Sequence, residues 1–291
     1  IAEDGEAAGV KAIEAGARAG ALPLEDEYYL AITIDNLSPI QATPEACVQA
    51  LNQAYLDDYD GVLANVSGDG IAEQIDFMNR QGIPVVLFGQ DVPESQRKGA
   101  ILNDDRLSGE LAAQALLKAI PYKRNEIAIL AGPRGQSQTK LRLDAALDTI
   151  KAVPTIGIFD PIAHTDGSIA NSLQQLDYIL SQNYADELRG FIILGNWPLQ
   201  TGQPLPWEPR DPFSVSVDAG PRTIPYLASG QLQAAVAQDY FAQGEKALSM
   251  LIEFIHNKRP PEEAIILVPP YVVDRYNLGD FQKNWIVWLQ Q

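Results

Sequence analysis

The stretch from Gly82 to Gly109, GIPVVLFGQDVPESQRKGAILNDDRLSG, constrains the fold more than any other part of the chain. It opens with Pro84-Val85-Val86-Leu87-Phe88, a run with no polar alternation. A strand apolar on both faces needs cover on both faces, which means a parallel sheet packed between helices. The chain then breaks into a polar loop, Gly89 to Lys98, where Pro93 forbids further ladder pairing. A second short strand, Ala100-Ile101-Leu102, leads to Asn103-Asp104-Asp105 and a helix with small residues, Ser108 and Gly109, on its first turns.

Strand and helix alternate almost throughout. Gly9 to Ala17 reads as a first helix, and Tyr28 to Ile34 as a strand by composition. Thr43 is placed to N-cap a helix, with Pro44 at its first position and Glu45 favouring the dipole. Strand Gly61 to Val66, helix Gly70 to Gln81 and strand Ile83 to Phe88 follow in βαβ order, and helix Leu107 to Ile120 comes next. A second series has strands at Glu126 to Leu130, Thr155 to Phe159, Phe191 to Leu194, Phe213 to Val217 and Leu232 to Ala237. Helices are expected near Gln138 to Ile150, Ser168 to Gln182 and Phe241 to Asn257, and the last strands at Ile265 to Val268 and Tyr271 to Val273. Strands spaced by helices in this way imply parallel, doubly wound sheets. Two such series with a polar crossover between them imply two lobes.

Composition narrows the function. The 291 residues include 21 basic and 38 acidic side chains, a net charge of -17 that repels nucleic-acid phosphates and anionic membranes. No apolar run approaches the ~20 residues that span a bilayer. The single Cys47 excludes an internal disulfide and reads as a small buried hydrophobe. Enzyme signatures are missing: no G-x-G-x-x-G follows a strand, and Gly132-Pro133-Arg134-Gly135 lacks the Lys-Ser/Thr of a phosphate loop. Two histidines, His164 and His256, leave little for triad or zinc chemistry, so neither cofactor nor metal is expected.

The segment from Gly82 to Gly109 resembles the hinge-proximal region of the type I periplasmic binding proteins, the sugar-binding family that includes ribose-binding proteins. Gly82-Ile83-Pro84, Asp91, Pro93, Asp104 and Gly109 fit that pattern, whereas Gly89 stands where the family has Asp and Asp105 where it has Asn. Leu130 to Pro133 with Lys140 to Asp144, Leu194 to Trp197, Val217 to Pro221 and Gly230 to Gln238 are similar to further family segments, in the same order. The resemblance implies an α/β fold of two doubly wound parallel-sheet lobes joined by a three-strand hinge. The expected lobes are 1–104 plus 239–268, and 105–238 plus 269–291. It also implies a first strand ahead of the first helix; none is seen before Gly9, so either residues precede Ile1 or the chain differs there.

The implied function is capture of a small polar ligand, a monosaccharide or polyol, between two lobes for an importer or a sensory system. The expected partners are that ligand and a membrane permease or sensor, with no nucleic acid. The protein is expected to act as a monomer in the periplasm or outside the cell, where a lipid-anchored form is also possible. A sugar offers adjacent hydroxyls and an apolar C–H face, which suit planar polar groups and one aromatic ring. Arg142, Asn196, Asp218 and Gln238 supply that polar set, and all but Arg142 lie at or near strand carboxyl ends. Asp91, Gln90, Trp197 and His164 complete the candidates, the neutral Gln90 amide suiting an uncharged ligand and Trp197 a stacking role. Blander roles compete: Arg142 pairing at the surface with Asp144 or Asp148, Asp218 capping a helix near Gly220, Asp91 simply solvated, Trp197 packed in its own loop, and His164 a satisfied histidine. An effector domain of a LacI-type transcription regulator is the alternative function, but it requires a helix-turn-helix and a basic segment that the sequence does not supply.

Overall fold

A computed structural model of the chain describes residues 1–2, 7–39, 43–121, 125–182 and 188–290. In chain order its elements are α1 (Ala8–Tyr28), α2 (Pro44–Leu56), β1 (Val62–Ala64), α3 (Ile71–Arg80), β2 (Val85–Phe88), β3 (Gly99–Asn103) and α4 (Asp105–Ala119). Then come β4 (Asn125–Ala131), α5 (Ser137–Lys151), β5 (Ile156–Ile158), β6 (Ala163–His164), α6 (Ile169–Leu180), β7 (Leu188–Ile193) and β8 (Phe213–Val217). The last are α7 (Ile224–Ser229), β9 (Ala234–Ala237), α8 (Tyr240–Asn257), β10 (Ile265–Val268), β11 (Tyr271–Asp274) and α9 (Leu278–Trp288).

The chain divides into two compact units, Ile1–Asn103 with Asp239–Val268 and Val287–Gln291, and Asp104–Gln238 with Pro269–Ile286. The expected second lobe ran to 291, but the last residues group with the first unit, where Trp288 stacks on Phe241 at 5.5 Å. Asp104 falls in the second unit because its carboxylate caps α4, accepting from Leu107 N at 2.9 Å.

In the first unit β1-β2-β3-β10 form a four-stranded parallel sheet. β2, the apolar run of the sequence, is buried along its whole length. One face packs on α2 and α3 through Cys47, Leu51, Ile71, Ile75 and Met78, the other on α8 through Ala247, Met250 and Leu251. Thr43 caps α2 as its sequence implies, its hydroxyl accepting from Ala46 N at 3.2 Å, with Pro44 at the first helical position.

Tyr28 to Ile34 is the one expected strand that does not form. Tyr28 ends α1, Tyr29 takes a left-handed conformation with φ 54°, and the following residues lie in neither helix nor ladder. Burial still alternates along them, Ile32 and Ile34 packing on α1 and α8 while Ala31 and Thr33 are exposed. A strand-forming composition makes a strand only where a neighbour supplies the hydrogen bonds.

The second unit holds seven strands in the order β11-β9-β8-β7-β4-β5, with β6 also on β4. All pairs are parallel except β11 on β9. In β4 and β7 the buried residues Ile127, Ala128, Ile129, Phe191, Ile192 and Ile193 are apolar on both faces, whereas β8 alternates Val215 and Val217 with the buried Ser214 and Ser216. A helix near Gly220 is expected and forms as a 3₁₀ turn leading into α7, whereas β6 and α9 carry no strong periodic signal in the sequence.

Close helix packing in the first unit rests on two glycines. A Cβ on Gly16 would stand 2.0 Å from Phe241 O, and one on Gly244 would stand 1.9 Å from Ile13 O. These are backbone contacts, so α1 and α8 would have to separate to admit a methyl group. Gly244→Ala is therefore expected to destabilise by about 1–3 kcal/mol in urea unfolding. Gly279→Ala on α9, where a Cβ meets nothing within 4 Å, is expected to stay within about 0.5 kcal/mol of the wild type.

Candidate functional site

In a parallel sheet the backbone polar groups that end the strands cluster along one edge, and the side chains just beyond them share it. Arg142, Asn196, Asp218, Gln238, Trp197 and His164 all meet there in the second unit. Arg142 comes from the second turn of α5 and is only 8% exposed. Its Nε donates to Asp105 Oδ1 at 2.7 Å. Its Nη1 donates to Asp218 Oδ2 at 2.5 Å and to Leu194 O at 3.2 Å. Asp144 instead pairs with Lys140, and Asp148 with Arg106, so the surface reading of Arg142 is replaced by a buried one.

Two local features put these charges together. The first is the approach of α4 to α5: a Cβ on Gly109 would lie 2.0 Å from Arg142 O, so only glycine lets the first turn of α4 reach Arg142. The second is Asp218, which ends β8 with φ 60°, a left-handed conformation uncommon outside glycine but tolerated by Asp. That turn carries its carboxylate to Arg142 and Gln238, and it does not cap the helix that follows. The short 3₁₀ turn there starts after Gly220, whose N–H donates to Thr223 Oγ1 at 3.2 Å.

Gln238, 2% exposed, ends β9. Its Nε2 donates to Asp218 Oδ1 and to Ser108 Oγ, both at 3.1 Å. Its Oε1 is buried with no hydrogen-bond partner among the described residues, and so is Ser216 Oγ on the neighbouring β8. Asn196 follows β7 and donates from Nδ2 to Asp218 O at 2.9 Å, keeping its carboxamide half-buried. Trp197, also half-buried, lies over two glycines: a Cβ on Gly132 would be 2.9 Å and one on Gly195 2.5 Å from its Cη2. His164 is held against the same place, its Nδ1 3.0 Å from Gly132 O.

Burial opposes the Arg142 charge, yet Asp218 and Asp105 more than offset it and hold the guanidinium above its ordinary pKa. Burial pushes the Asp105 carboxyl up, with Arg142 opposing that rise. One cation shared by two carboxylates leaves a net charge of about -1 if all three are ionised. Such a cluster repels anions and offers donors and acceptors to neutral groups.

The two remaining candidates lie in the first unit. Asp91 has both oxygens engaged by Arg97, Nη2 reaching Oδ2 at 2.6 Å, so this loop carboxylate is an internal ion pair. Gln90 Nε2 donates to Asn65 Oδ1 at 3.0 Å. Gly89 beside it has φ 74°, and a Cβ there would stand 2.4 Å from Asn65 Nδ2. Sequence reasoning missed the role of Asp105 as the second counter-charge, 37 positions from Arg142 and beyond any local spacing rule. Among the described residues no group of three or more His, Cys, Asp or Glu is placed to hold a metal, and no helix is long and apolar enough to cross a membrane.

Residues 5–259 match the periplasmic binding protein domain family, and the chain belongs to that family. No curated protein matches it. Among solved structures it is similar to a sugar ABC transporter sugar-binding protein from Bacillus halodurans, at TM-score 0.78 and 17% identity over 91% of this chain and 94% of that one. It is similar to a periplasmic ribose ABC transporter from Conexibacter woesei at TM-score 0.76 and 17% identity, covering 93% and 90%. An ABC transporter solute-binding protein from Agrobacterium vitis with bound D-fucose gives TM-score 0.68 and 21% identity, covering 94% of each chain. At such identities the likeness establishes the fold.

The shared guanidinium makes a stability test. Asp105→Asn removes a carboxylate that burial already disfavours and is expected to cost about 1 kcal/mol or less. Asp218→Asn weakens a charge-assisted bond and is expected to cost about 1.5–3 kcal/mol. The double variant leaves Arg142 buried without a counter-charge, so its loss should exceed the sum of the singles by about 0.5–3 kcal/mol in denaturant unfolding.

Proposed function

We propose that this chain is a solute-binding protein for a neutral sugar or polyol, with ligand hydroxyls bonded by the Arg142–Asp218–Asn196–Gln238 cluster of the second unit. The observation that carries this reading is the buried Arg142 fork held between Asp105 and Asp218 at strand carboxyl ends. A sugar hydroxyl is both donor and acceptor, so it can give a bond to a carboxylate and take one from a guanidinium or amide. Trp197, resting on Gly132 and Gly195, provides a flat apolar surface for a C–H face. The net charge of the cluster favours an uncharged ligand over a sugar acid or phosphate.

Family membership supports a binding role without catalysis, exercised in the periplasm or outside the cell. The solved relatives named as sugar-binding, ribose transport and D-fucose-bound proteins support a monosaccharide and delivery to an ABC importer. The alternative of a LacI-type effector domain gains nothing from the family match.

A thermal-shift screen of neutral sugars, polyols, sugar acids and sugar phosphates is the first test. A neutral ligand at about 100 times its Kd is expected to add about 2.7 kcal/mol of stability, with no shift from the anionic analogues. Absence of a shift from every neutral sugar and polyol would remove the reading. Calorimetry then tests the site. Asp218→Ala is expected to weaken binding by about 2–4 kcal/mol, since it leaves partners unsatisfied. Arg142→Ala should cost a similar amount, and Arg142→Lys should not restore affinity, because an ammonium cannot reproduce the planar fork. Asp144→Ala, whose carboxylate pairs with Lys140, is the control and should bind as the wild type.

A further inference from the structure

The chain leaving β7 makes a single 3₁₀ turn, Trp197–Thr201, and reverses at Gly202 with φ 68°. It then crosses to β8 through residues 203–212 with one isolated bridge, Glu208 to Asp211, and no ladder. Backbone of this kind must find its hydrogen bonds outside regular structure. Three side chains from one stretch, residues 222–231, supply them. Arg222 Nη1 donates to Gln200 O at 2.9 Å. Tyr226 OH donates to Gln203 O at 2.6 Å and lies 3.3 Å from Leu199 O. Gln231 Nε2 donates to Leu205 O at 3.1 Å and Trp207 O at 2.9 Å, while its Oε1 accepts from Leu205 N at 3.2 Å. Tyr226 and Gln231 are both buried, so these anchors are as fixed as the core around them.

The part of the loop that Tyr226 grips is the turn that carries Trp197. At the start of that turn Leu199 N donates to Asn196 O at 3.0 Å, and Asn196 Nδ2 donates to Asp218 O at 2.9 Å. Asp218 leads through Ala219 to Gly220, where Thr223 N donates to Gly220 O at 2.9 Å and the chain enters α7. α7 then carries Tyr226 back to the far end of the Trp197 turn. The path from Asn196 through Asp218 and Tyr226 to Leu199 is therefore a closed circuit, and the Tyr226 hydroxyl is the link that closes it. A five-residue 3₁₀ turn has poor internal hydrogen-bond geometry and cannot by itself hold a large ring in place. A side chain that serves a binding site has to be held to within about 0.5 Å by the residues behind it.

We propose that Tyr226 is a positioning residue for ligand binding: its hydroxyl fixes the Trp197 turn and so holds the indole over Gly132 and Gly195, ready for a sugar C–H face. The inference rests on the reading of Trp197 as a ligand-stacking residue. Tyr226 itself, buried and with its hydroxyl spent on backbone carbonyls, acts only through Trp197.

Labelling with 5-fluorotryptophan gives one fluorine resonance for each of the four tryptophans, and Trp197→Phe identifies the one from Trp197. Tyr226→Phe removes only the hydroxyl and should shift and broaden that resonance, leaving those of Trp285 and Trp288 in place. Calorimetry then uses whichever of D-ribose, D-xylose, D-glucose, D-galactose and D-mannitol gives the largest thermal shift. Tyr226→Phe should raise its Kd about five- to tenfold, the loss expected when one neutral hydrogen bond is removed. In a Trp197→Ala background the same change should leave Kd within about twofold, because the two side chains act as a unit. Tyr178→Phe on α6, at an exposed position, is the control and should alter neither readout. An unmoved Trp197 resonance, or an unchanged Kd, would overturn the proposal. An equal loss of affinity with and without Trp197 would overturn it too, since Tyr226 would then act on the unit as a whole. If no neutral sugar or polyol binds, the sugar-binding reading fails, and the resonance alone decides whether Tyr226 positions Trp197. If Tyr226→Phe does not fold, Arg222→Met at the exposed anchor replaces it. A moved Trp197 resonance then supports the positioning role, and an unmoved one overturns it.

Discussion

A guanidinium held almost wholly out of water sets the terms for the second unit. Arg142 cannot shed its proton to escape burial, as a buried lysine can, so its surroundings must supply counter-charge. Asp105 supplies it from the first position of α4, Asp218 from the end of β8, and the Leu194 carbonyl adds a third acceptor after β7. Those three groups lie on separate segments of chain, so one side chain ties a helix start to two strand ends. Breaking any tie leaves a charge or a dipole uncompensated in low dielectric, where that penalty is largest. The strained backbone of Asp218 fits this account. A residue held at φ 60° persists only where its surroundings over-determine it, and here both carboxylate oxygens and the main-chain carbonyl are engaged.

The contrast between sheet interior and sheet edge explains why polar side chains gather where they do. Along β4 and β7 the buried positions are apolar, and β8 alternates Val215 and Val217 with two small hydroxyls, Ser214 and Ser216. A binding group placed among them would need full internal satisfaction. Beyond the last rung the constraint relaxes, since the strand ends and side chains there can bond to one another. Asp218 and Gln238 directly follow β8 and β9, Asn196 lies three residues past β7, and the Trp197 ring reaches the same place because Gly132 and Gly195 carry no side chain beneath it.

Much of the fold was legible because apolar runs and helix caps report local physics. β8 and β10 coincide with their expected spans, and Thr43-Pro44 starts α2 where capping chemistry requires. Tyr28 to Ile34 was misread because composition reports preference for a pleated surface, whereas a ladder also needs a neighbour. Of the candidate residues, Arg142, Asn196, Asp218 and Gln238 converge in the second unit. Their partners were not legible. Asp105 meets Arg142 only because Gly109 lets two helices touch, and Asp91 is tied to Arg97 by a loop whose path no spacing rule gives. Long-range pairing of charges is a property of packing, and a single sequence carries it only as residue types that could pair.

Glycine-mediated helix contact occurs in both units with different consequences. Between α1 and α8, Gly16 and Gly244 bring two backbones together, and what they bury around them is apolar: Ala17, Ala21, Leu24, Leu248 and Ile252. Such an interface is governed by shape, and a methyl group in the wrong place is its main hazard. Between α4 and α5, Gly109 allows an equally close approach, but the side chains carried inward are Asp105 and Arg142. The same steric device therefore yields a plain core in one unit and a buried ion pair at strand ends in the other. Close packing excludes water and lowers the local dielectric, which strengthens each bond the paired charges make. A polar group exchanged for a ligand hydroxyl there carries more weight than at an exposed surface, so the helix contact at Gly109 is as much a part of the candidate site as the charged residues themselves.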